Sequence, residues 1–269
     1  MDSKLNQLQR LLPDGLLVDA GWLQSHGYSR SLVAKYLKSG WLEAPIREAY
    51  RRPGSVSRET LPSATTVVLS LQRLRPPLLA VGGRTALELQ GLGHYSAADG
   101  PTEYHLYGAA PPPLWARRLL GQQLVYHRPR LFTADPLLAD DPRAGGFDRH
   151  FTHAEGAGPA AQLVVSTPER AFLEVLETVP QVASFHEADV LMQGLGSLSP
   201  RRLYALLADC RSVKVKRLAL WFADRHAHAW AQRLERGSLD LGSGKRVLVP
   251  GGRLDPTYNI TVPRDMEAA

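Results

Sequence analysis

Residues 17–53, LVDAGWLQSHGYSRSLVAKYLKSGWLEAPIREAYRRP, decide the fold of this chain. The stretch divides into two short helices, a tight turn and a hairpin, the order of a winged helix-turn-helix. Asp19 is placed to cap a first helix running to about Ser25, and His26-Gly27-Tyr28 supplies the turn. Ser29 caps a second helix that stops at Gly40, because a serine oxygen satisfies an orphan N–H and glycine accepts the left-handed conformation past a helix end. In that second helix Leu32, Val33, Tyr36 and Leu37 share one face, and Arg30, Ser31, Ala34, Lys35 and Lys38 share the other. A helix entering a major groove needs this division: short or polar side chains towards base edges, and cations towards phosphates.

After Gly40, Trp41 and Leu42 begin a strand, Ala44-Pro45 marks the turn region, and residues 46–52 return as the second strand of the wing. Between Arg30 and Arg58 there are seven basic residues and two acidic ones, Glu43 and Glu48, so the field here is positive. The competing interpretation is a helical hairpin with an ordinary solvated face. It does not account for helix, glycine turn, helix, glycine and basic hairpin occurring in that order.

The flanks fit a supporting role. Leu5, Leu8, Leu11 and Leu12 recur at helical spacing before Pro13-Asp14-Gly15, and residues 55–63 are polar enough to be a connector. We expect a DNA-binding domain over residues 1–58 and a larger mixed α+β domain over 59–269, rich in strands to about residue 165 and in helices afterwards.

In the second region TTVVLSLQRLRPP has helical spacing, residues 78–81 form a short extended segment, and Gly82-Gly83 turns into a helix from Arg84 to Gln90. Twin glycines ahead of a helix can hold an anion on free N–H groups, but their commoner use is close packing of helix on strand. TEYHLYG and QQLVYHRPRLF read as strands. Residues 134–158, with Asp135, Asp140 and Asp141, read as a surface loop, and Gln162–Val165 as a further strand. Ser166-Thr167-Pro168-Glu169 is a helix start, with a capping residue, a proline and an acidic first turn. Helical patterns then run to about Arg236, and the tail suggests two strands around Gly251-Gly252.

At 269 residues with 44% hydrophobic content, the chain can bury ordinary cores. No apolar run approaches the roughly 20 residues that span a bilayer, and the N-terminus lacks a secretory pattern, so the cytoplasm is the expected compartment. Cys210 is the only cysteine, which excludes an internal disulfide and a cysteine-rich zinc site. The net charge of +6 favours a polyanionic partner. Catalytic signatures are missing: Gly242-Ser243-Gly244-Lys245-Arg246 fails as a phosphate-binding loop because Leu239 and Arg246 stand where glycine and Ser or Thr are needed. His226 and His228, two apart on a predicted helix, would point to different sides. No metal site, cofactor or catalytic residue is expected.

Over nearly its whole length the chain resembles the AbiEi family, antitoxins of type IV toxin–antitoxin and phage abortive-infection systems. The resemblance rests on residues 19–53 and, more specifically, on GGRTALELQGLGHY, VSTPERAFLEVLE, VKVKRLALWFAD and LGSGKR. It implies a winged helix that represses its own operon by binding inverted repeats, and a C-terminal domain that antagonises a nucleotidyltransferase-type toxin. The DNA-reading positions would be Ser29, Arg30, Ser31, Lys35 and Lys38, with Arg47, Arg51 and Arg52 on the wing. The family-like positions for antitoxicity would be Arg84, Glu169, Arg170, Lys214, Arg217, Lys245 and Arg246. The implied partners are double-stranded DNA of the promoter and the cognate toxin, with no membrane, and with the protein monomeric or pairing on DNA. One departure stands out: Pro45 and Glu48-Ala49 lie where similar wings often carry a basic stretch ending in glycine. Two alternatives remain open, an enzyme acting on nucleic acid or nucleotides and a ligand-sensing regulator.

Overall fold

The computed structural model describes residues 4–54, 61–93, 101–143, 145–156 and 158–266. Helix α1 (Lys4–Leu11) leads into strand β1 (Leu17–Asp19), helices α2 (Ala20–Ser25) and α3 (Arg30–Lys38), and strands β2 (Glu43–Ile46) and β3 (Ala49–Arg51). The strands form an antiparallel sheet of order β1-β3-β2. Local chemistry sets the helix ends: Asp19 Oδ1 accepts from Trp22 N at 2.8 Å and Ser29 Oγ from Leu32 N at 3.3 Å. Gly27 (φ 81°) and Gly40 (φ 75°) take the left-handed turns that a Cβ would strain. Strand β1 was not anticipated. Its three residues are too few to show alternation; they extend because β3 pairs with them and because Leu17 and Val18 are buried.

The second region begins with α4 (Ala64–Leu74), β4 (Ala80–Val81), α5 (Gly83–Leu89), β5 (Tyr104–Tyr107), α6 (Leu114–Leu120) and β6 (Leu124–His127). It continues through α7 (Phe147–His150), β7 (Phe151–Gly156) and β8 (Gly158–Ser166). These strands form a five-stranded mixed sheet of order β6-β5-β4-β8-β7. The central pair β4 and β8 is parallel, each strand is followed at its C-terminal end by a helix, and β5 runs antiparallel to β4. Helix α4 covers one face, where Thr65 Oγ1 meets the Tyr104 hydroxyl at 2.7 Å, and α5 lies on the face to which His105 and Tyr107 point.

Four helices complete the chain, α8 (Pro168–Thr178), α9 (Phe185–Gly194), α10 (Pro200–Asp209) and α11 (Val213–His226), followed by a small hairpin, β9 (Arg253–Asp255) and β10 (Ile260–Val262). Helix α11 is the central one: its residues from Val215 to Ala223 are all buried. A continuous apolar cluster reaches from Leu8 through Leu17, Val68 and Phe172 to Met266, so the winged helix shares a core with the mixed α+β region. The expected division between residues 58 and 59 lies outside the described residues.

Three expectations are corrected. The range 134–158 is a surface loop only in part: Asp140 and Asp141 are exposed as expected, but the range also contains α7 and β7, and Asp135 is buried. The last α-helix ends at His226, where Ala227 turns left-handed (φ 48°) and a 3-10 turn follows at Ala231–Arg233, so His226 and His228 stack at 5.8 Å instead of diverging. Both tail strands follow Gly251-Gly252 rather than flanking it. Cys210 is buried, and burial pushes its thiol up to about 11.

Candidate functional site

Helix α3 presents Arg30, Ser31, Ala34, Lys35 and Lys38 to solvent, while Val33 and Tyr36 are buried beneath it. Arg30, Lys35, Lys38 and the wing-tip Arg47 make no ion pair among the described residues, so each cation is available to a phosphate. The Ser29 hydroxyl is occupied as the cap and lies 3.0 Å from Ser31 Oγ. The wing reverses over Arg47 and Glu48, with Glu48 left-handed at φ 73°.

Two of the expected wing contacts are corrected. Arg51 is buried, with Nε donating to Glu43 Oε2 at 3.1 Å. Arg52 donates to the carbonyls of Gln9 and Leu12, both at 3.0 Å, and pairs with Asp14 at 2.8 Å, tying the end of the wing to the C-terminus of α1. Both arginines hold the winged helix together. Neither guanidinium is free for DNA.

A second constellation lies where β4 and β8 end. Arg170 is wholly buried; Nη2 donates to Asp135 Oδ2 at 2.8 Å, Nη1 to Asp135 Oδ1 at 3.2 Å, and Nε to Glu174 Oε1 at 2.7 Å. Phe132 and Phe151 lie 5.0 and 4.5 Å from its guanidinium carbon. Burial alone would weaken the cation, but Glu174 and Asp135 outweigh it and its pKa is raised. Burial also raises the Glu174 carboxyl, against the opposing pull of Arg170, the Gly83 N–H at 2.8 Å and the Ser166 hydroxyl. His150 Nδ1 accepts from Arg170 Nη1 at 2.7 Å, which requires a neutral ring; burial, then the neighbouring Arg170 charge, push its pKa down to about 3. Gly82 cannot carry a side chain here, since a Cβ would stand 2.4 Å from Glu174 Oε2 and 2.5 Å from the Tyr107 ring.

Above this layer opens a cleft of about 220 Å³ lined by Arg84, Glu103, His105, Tyr107 and Glu187. Arg84 pairs with Glu103 at 2.8 Å, Glu187 at 2.9 Å and Glu88 at 3.4 Å. His105 Nδ1 and His127 Nε2 are 3.0 Å apart; burial lowers the pKa of both, that of His127 to about 4 with His105 adding to the effect. Arg84, Glu103, Glu187 and His105 thus engage one another in the cleft. Among the described residues no group of three or more His, Cys, Asp or Glu side chains is placed to hold a metal ion. No helix among them is long and apolar enough to cross a membrane.

Two family models together span nearly the whole chain. Residues 103–263 match "Transcriptional regulator, AbiEi antitoxin, Type IV TA system", and residues 1–98 match "Transcriptional regulator, AbiEi antitoxin N-terminal domain". The chain belongs to the AbiEi antitoxin family. That family is one of transcriptional regulators and antitoxins of type IV toxin–antitoxin systems. Among solved structures the chain is similar to the RV2827C protein from Mycobacterium tuberculosis, with a TM-score of 0.54 at 15% identity over 95% of this chain and 88% of that one. At that identity the likeness concerns the fold. No curated protein matches the chain in sequence.

In this AbiEi chain the seven expected antitoxin positions do not form one site. Arg84 lines the cleft and Arg170 lies beneath it. Glu169, one residue before Arg170, faces α10, accepting from Ser199 N at 2.7 Å and pairing with Arg202 at 3.2 Å. Lys214 closes the end of α8 by donating to the carbonyls of Glu177 and Val179, and burial lowers its pKa. Arg217 clamps the tail through the carbonyls of Leu241, Gly242, Gly244 and Asn259. Only Lys245 and Arg246 are exposed. Glu103, His105 and Tyr107 of the cleft were missed, although the alternation in TEYHLYG places them on one strand face. Asp135 and Glu174 carried no such signal, because their role depends on Arg170 being between them.

Proposed function

We propose that this AbiEi-family protein represses its own promoter by docking α3 in the major groove, with Arg47 of the wing beside it, and antagonises a nucleotidyltransferase-type toxin through the mixed α+β region. The observation that supports the reading is the set of four unpaired cations, Arg30, Lys35, Lys38 and Arg47, on the exposed face of a capped helix and the adjoining wing tip. Arg30 and Ser31 stand at the helix N-terminus, where side chains meet base edges, and Lys35 and Lys38 fall further along towards phosphates. If all four cations neutralise phosphates, the logarithm of affinity falls with the logarithm of salt with a slope of about −3.6 per protomer. A two-fold operator bound by paired protomers would double that value. The proposal places the protein in the cytoplasm and assigns it no cofactor and no catalytic step.

The test is binding of the purified protein to its upstream duplex and to a scrambled duplex across a salt series. Lys35→Ala should weaken both by the same factor and flatten the slope by about 0.9, whereas Arg30→Ala should narrow the difference between the two duplexes. Wild-type behaviour of both variants would sink this docking. For the toxin arm, co-expression with the cognate toxin should restore growth, and Arg30→Ala and Lys35→Ala in the same assay would show whether DNA binding is dispensable for it.

A further inference from the structure

We infer that the cleft between α5, β5 and the α8–α9 turn binds a small organic cation, an ammonium head on a short apolar stem, held by Glu103, Glu187 and the Tyr107 hydroxyl. The inference is independent of the DNA docking proposed above and gives the second region a ligand. Tyr107 is the first ground for it. The residue is only 7% exposed, with its ring stacked on His127 at 4.5 Å. Yet its hydroxyl makes no hydrogen bond among the described residues. The one polar side-chain atom among them that is both sealed from solvent and unpartnered is Trp221 Nε1, so the Tyr107 oxygen reaches the cleft that its residue lines. It lies beside Gly83, where an added Cβ would stand 3.5 Å from it. Burial, and then the nearby Glu174 charge, hold the phenol well above its ordinary pKa, so it is neutral and able to accept. Buried polar groups are nearly always bonded, and this one faces an open space that a ligand can fill.

The second ground is a mismatch between donors and acceptors. The cleft's donors are taken: Arg84 spends Nη1 on Glu187, Nη2 on Glu103 and Nε on Glu88, the Gly83 N–H goes to Glu174, and Thr178 Oγ1 donates to Val175 O at 2.8 Å. Both nitrogens of His105 are engaged, Nε2 with Glu103 Oε2 at 3.3 Å and Nδ1 with His127. Its acceptors are not. Glu103 Oε1 and Glu187 Oε2 receive no hydrogen bond among the described residues, although the two side chains are only 42% and 33% exposed. One guanidinium serves three carboxylates, so negative charge is left over and an anion is repelled. The missing partner is therefore a cation rich in N–H donors. Val175, Ala183 and Val182 supply an apolar wall, and Val182, 75% exposed, forms its lip. That wall suits a hydrocarbon stem and not a hydrated metal ion. At ~30 Å³ for each water, a cleft of about 220 Å³ holds roughly seven waters, or a ligand of about that many non-hydrogen atoms.

The experiment titrates the full chain by calorimetry at low salt and neutral pH, into the millimolar range, with n-butylamine, its uncharged counterpart 1-butanol, and magnesium chloride. Wild type, Tyr107→Phe and the pair Glu103→Gln/Glu187→Gln are compared, with thermal melting of each ligand-free protein as the folding control. The expected result is saturable one-site binding of n-butylamine and no binding of the other two compounds. Tyr107→Phe should weaken the amine by about tenfold or more, as for a hydrogen bond to a charged group, and leave the ligand-free Tm unchanged, because the hydroxyl has no bond to lose. The double variant should not bind. If it melts lower than wild type, Tyr107→Phe, which removes one oxygen and no packing, decides the matter alone. No binding of the amine by wild type would overturn the inference, as would wild-type affinity in Tyr107→Phe. An equal response to magnesium would reduce the cleft to a generally acidic surface, and equal binding of 1-butanol would reduce it to an apolar hollow; either result overturns the cation site.

Discussion

Arg170→Met offers the sharpest test of what holds the second region together. Methionine roughly fills the volume of the arginine stem but removes the cation between two buried carboxylates. Asp135 would keep the Leu137 N–H, at 3.0 Å, and lose both bonds to the guanidinium. Glu174 would keep Gly83 N–H and the Ser166 hydroxyl and lose Nε. Breaking a buried pair by removing one partner costs about 3–5 kcal/mol, because a charge stays buried without compensation. That is a large part of the roughly 5–15 kcal/mol that stabilises a typical protein. Equilibrium urea denaturation at neutral pH, followed by far-ultraviolet circular dichroism, should show the midpoint falling accordingly. The triple variant Arg170→Met, Asp135→Asn, Glu174→Gln should recover much of the loss, since replacing a whole buried ion set is often close to neutral. A single-variant loss below about 1 kcal/mol, typical of an exposed pair, would refute the reasoning, as would a triple variant less stable than the single one.

Three further outcomes are expected. Gly82→Ala places a methyl group against Glu174 and the Tyr107 ring, so it should cost at least the ~1–3 kcal/mol of an overpacked core, seen as a lowered Tm; a wild-type Tm would show that this corner yields. Asp19→Ala removes the α2 cap and the partner of Arg75 and Trp115, and should destabilise by about 1–2 kcal/mol in the same urea assay; no change would mean the interface with α6 stands without it. For His150, the folded pKa of about 3 lies below the ordinary 6.5 of an unfolded chain. Its contribution is therefore complete above pH 6.5 and is lost as pH falls towards 3, at up to about 1.4 kcal/mol per pH unit. Wild type minus His150→Gln should show this pH dependence in denaturation midpoints between pH 7 and 4, and parallel profiles would contradict it.

Much of the winged helix was legible because its determinants are local. Asp19 and Ser29 cap helices that begin one residue later, and Gly27 and Gly40 supply left-handed turns. The spacing of Leu32, Val33, Tyr36 and Leu37 set which face of α3 turns inward, and Thr167-Pro168-Glu169 marked the start of α8 by the same kind of nearby chemistry. Strand β1 and helix α6 escaped, one because three residues carry no period, the other because LWARRLL lies between a triple proline and a strand.

What the amino-acid sequence determined by itself is the type of the elements whose caps and periodicity are local, α2, α3 and α8 among them, and the inward face of α3, since these follow from interactions a few residues apart. It also carried the family resemblance. Tertiary structure decided which charges are free. Arg47, Arg51 and Arg52 look alike along the chain, yet Arg51 is consumed by Glu43 and Arg52 by the end of α1, leaving Arg47. Likewise Asp135, 35 residues before Arg170, reads as a loop acid until the fold buries the two together. A charge in water costs little to leave unpaired, and a buried one must find its partner wherever the chain brings it. That pairing is a property of three-dimensional neighbours, which no local pattern records.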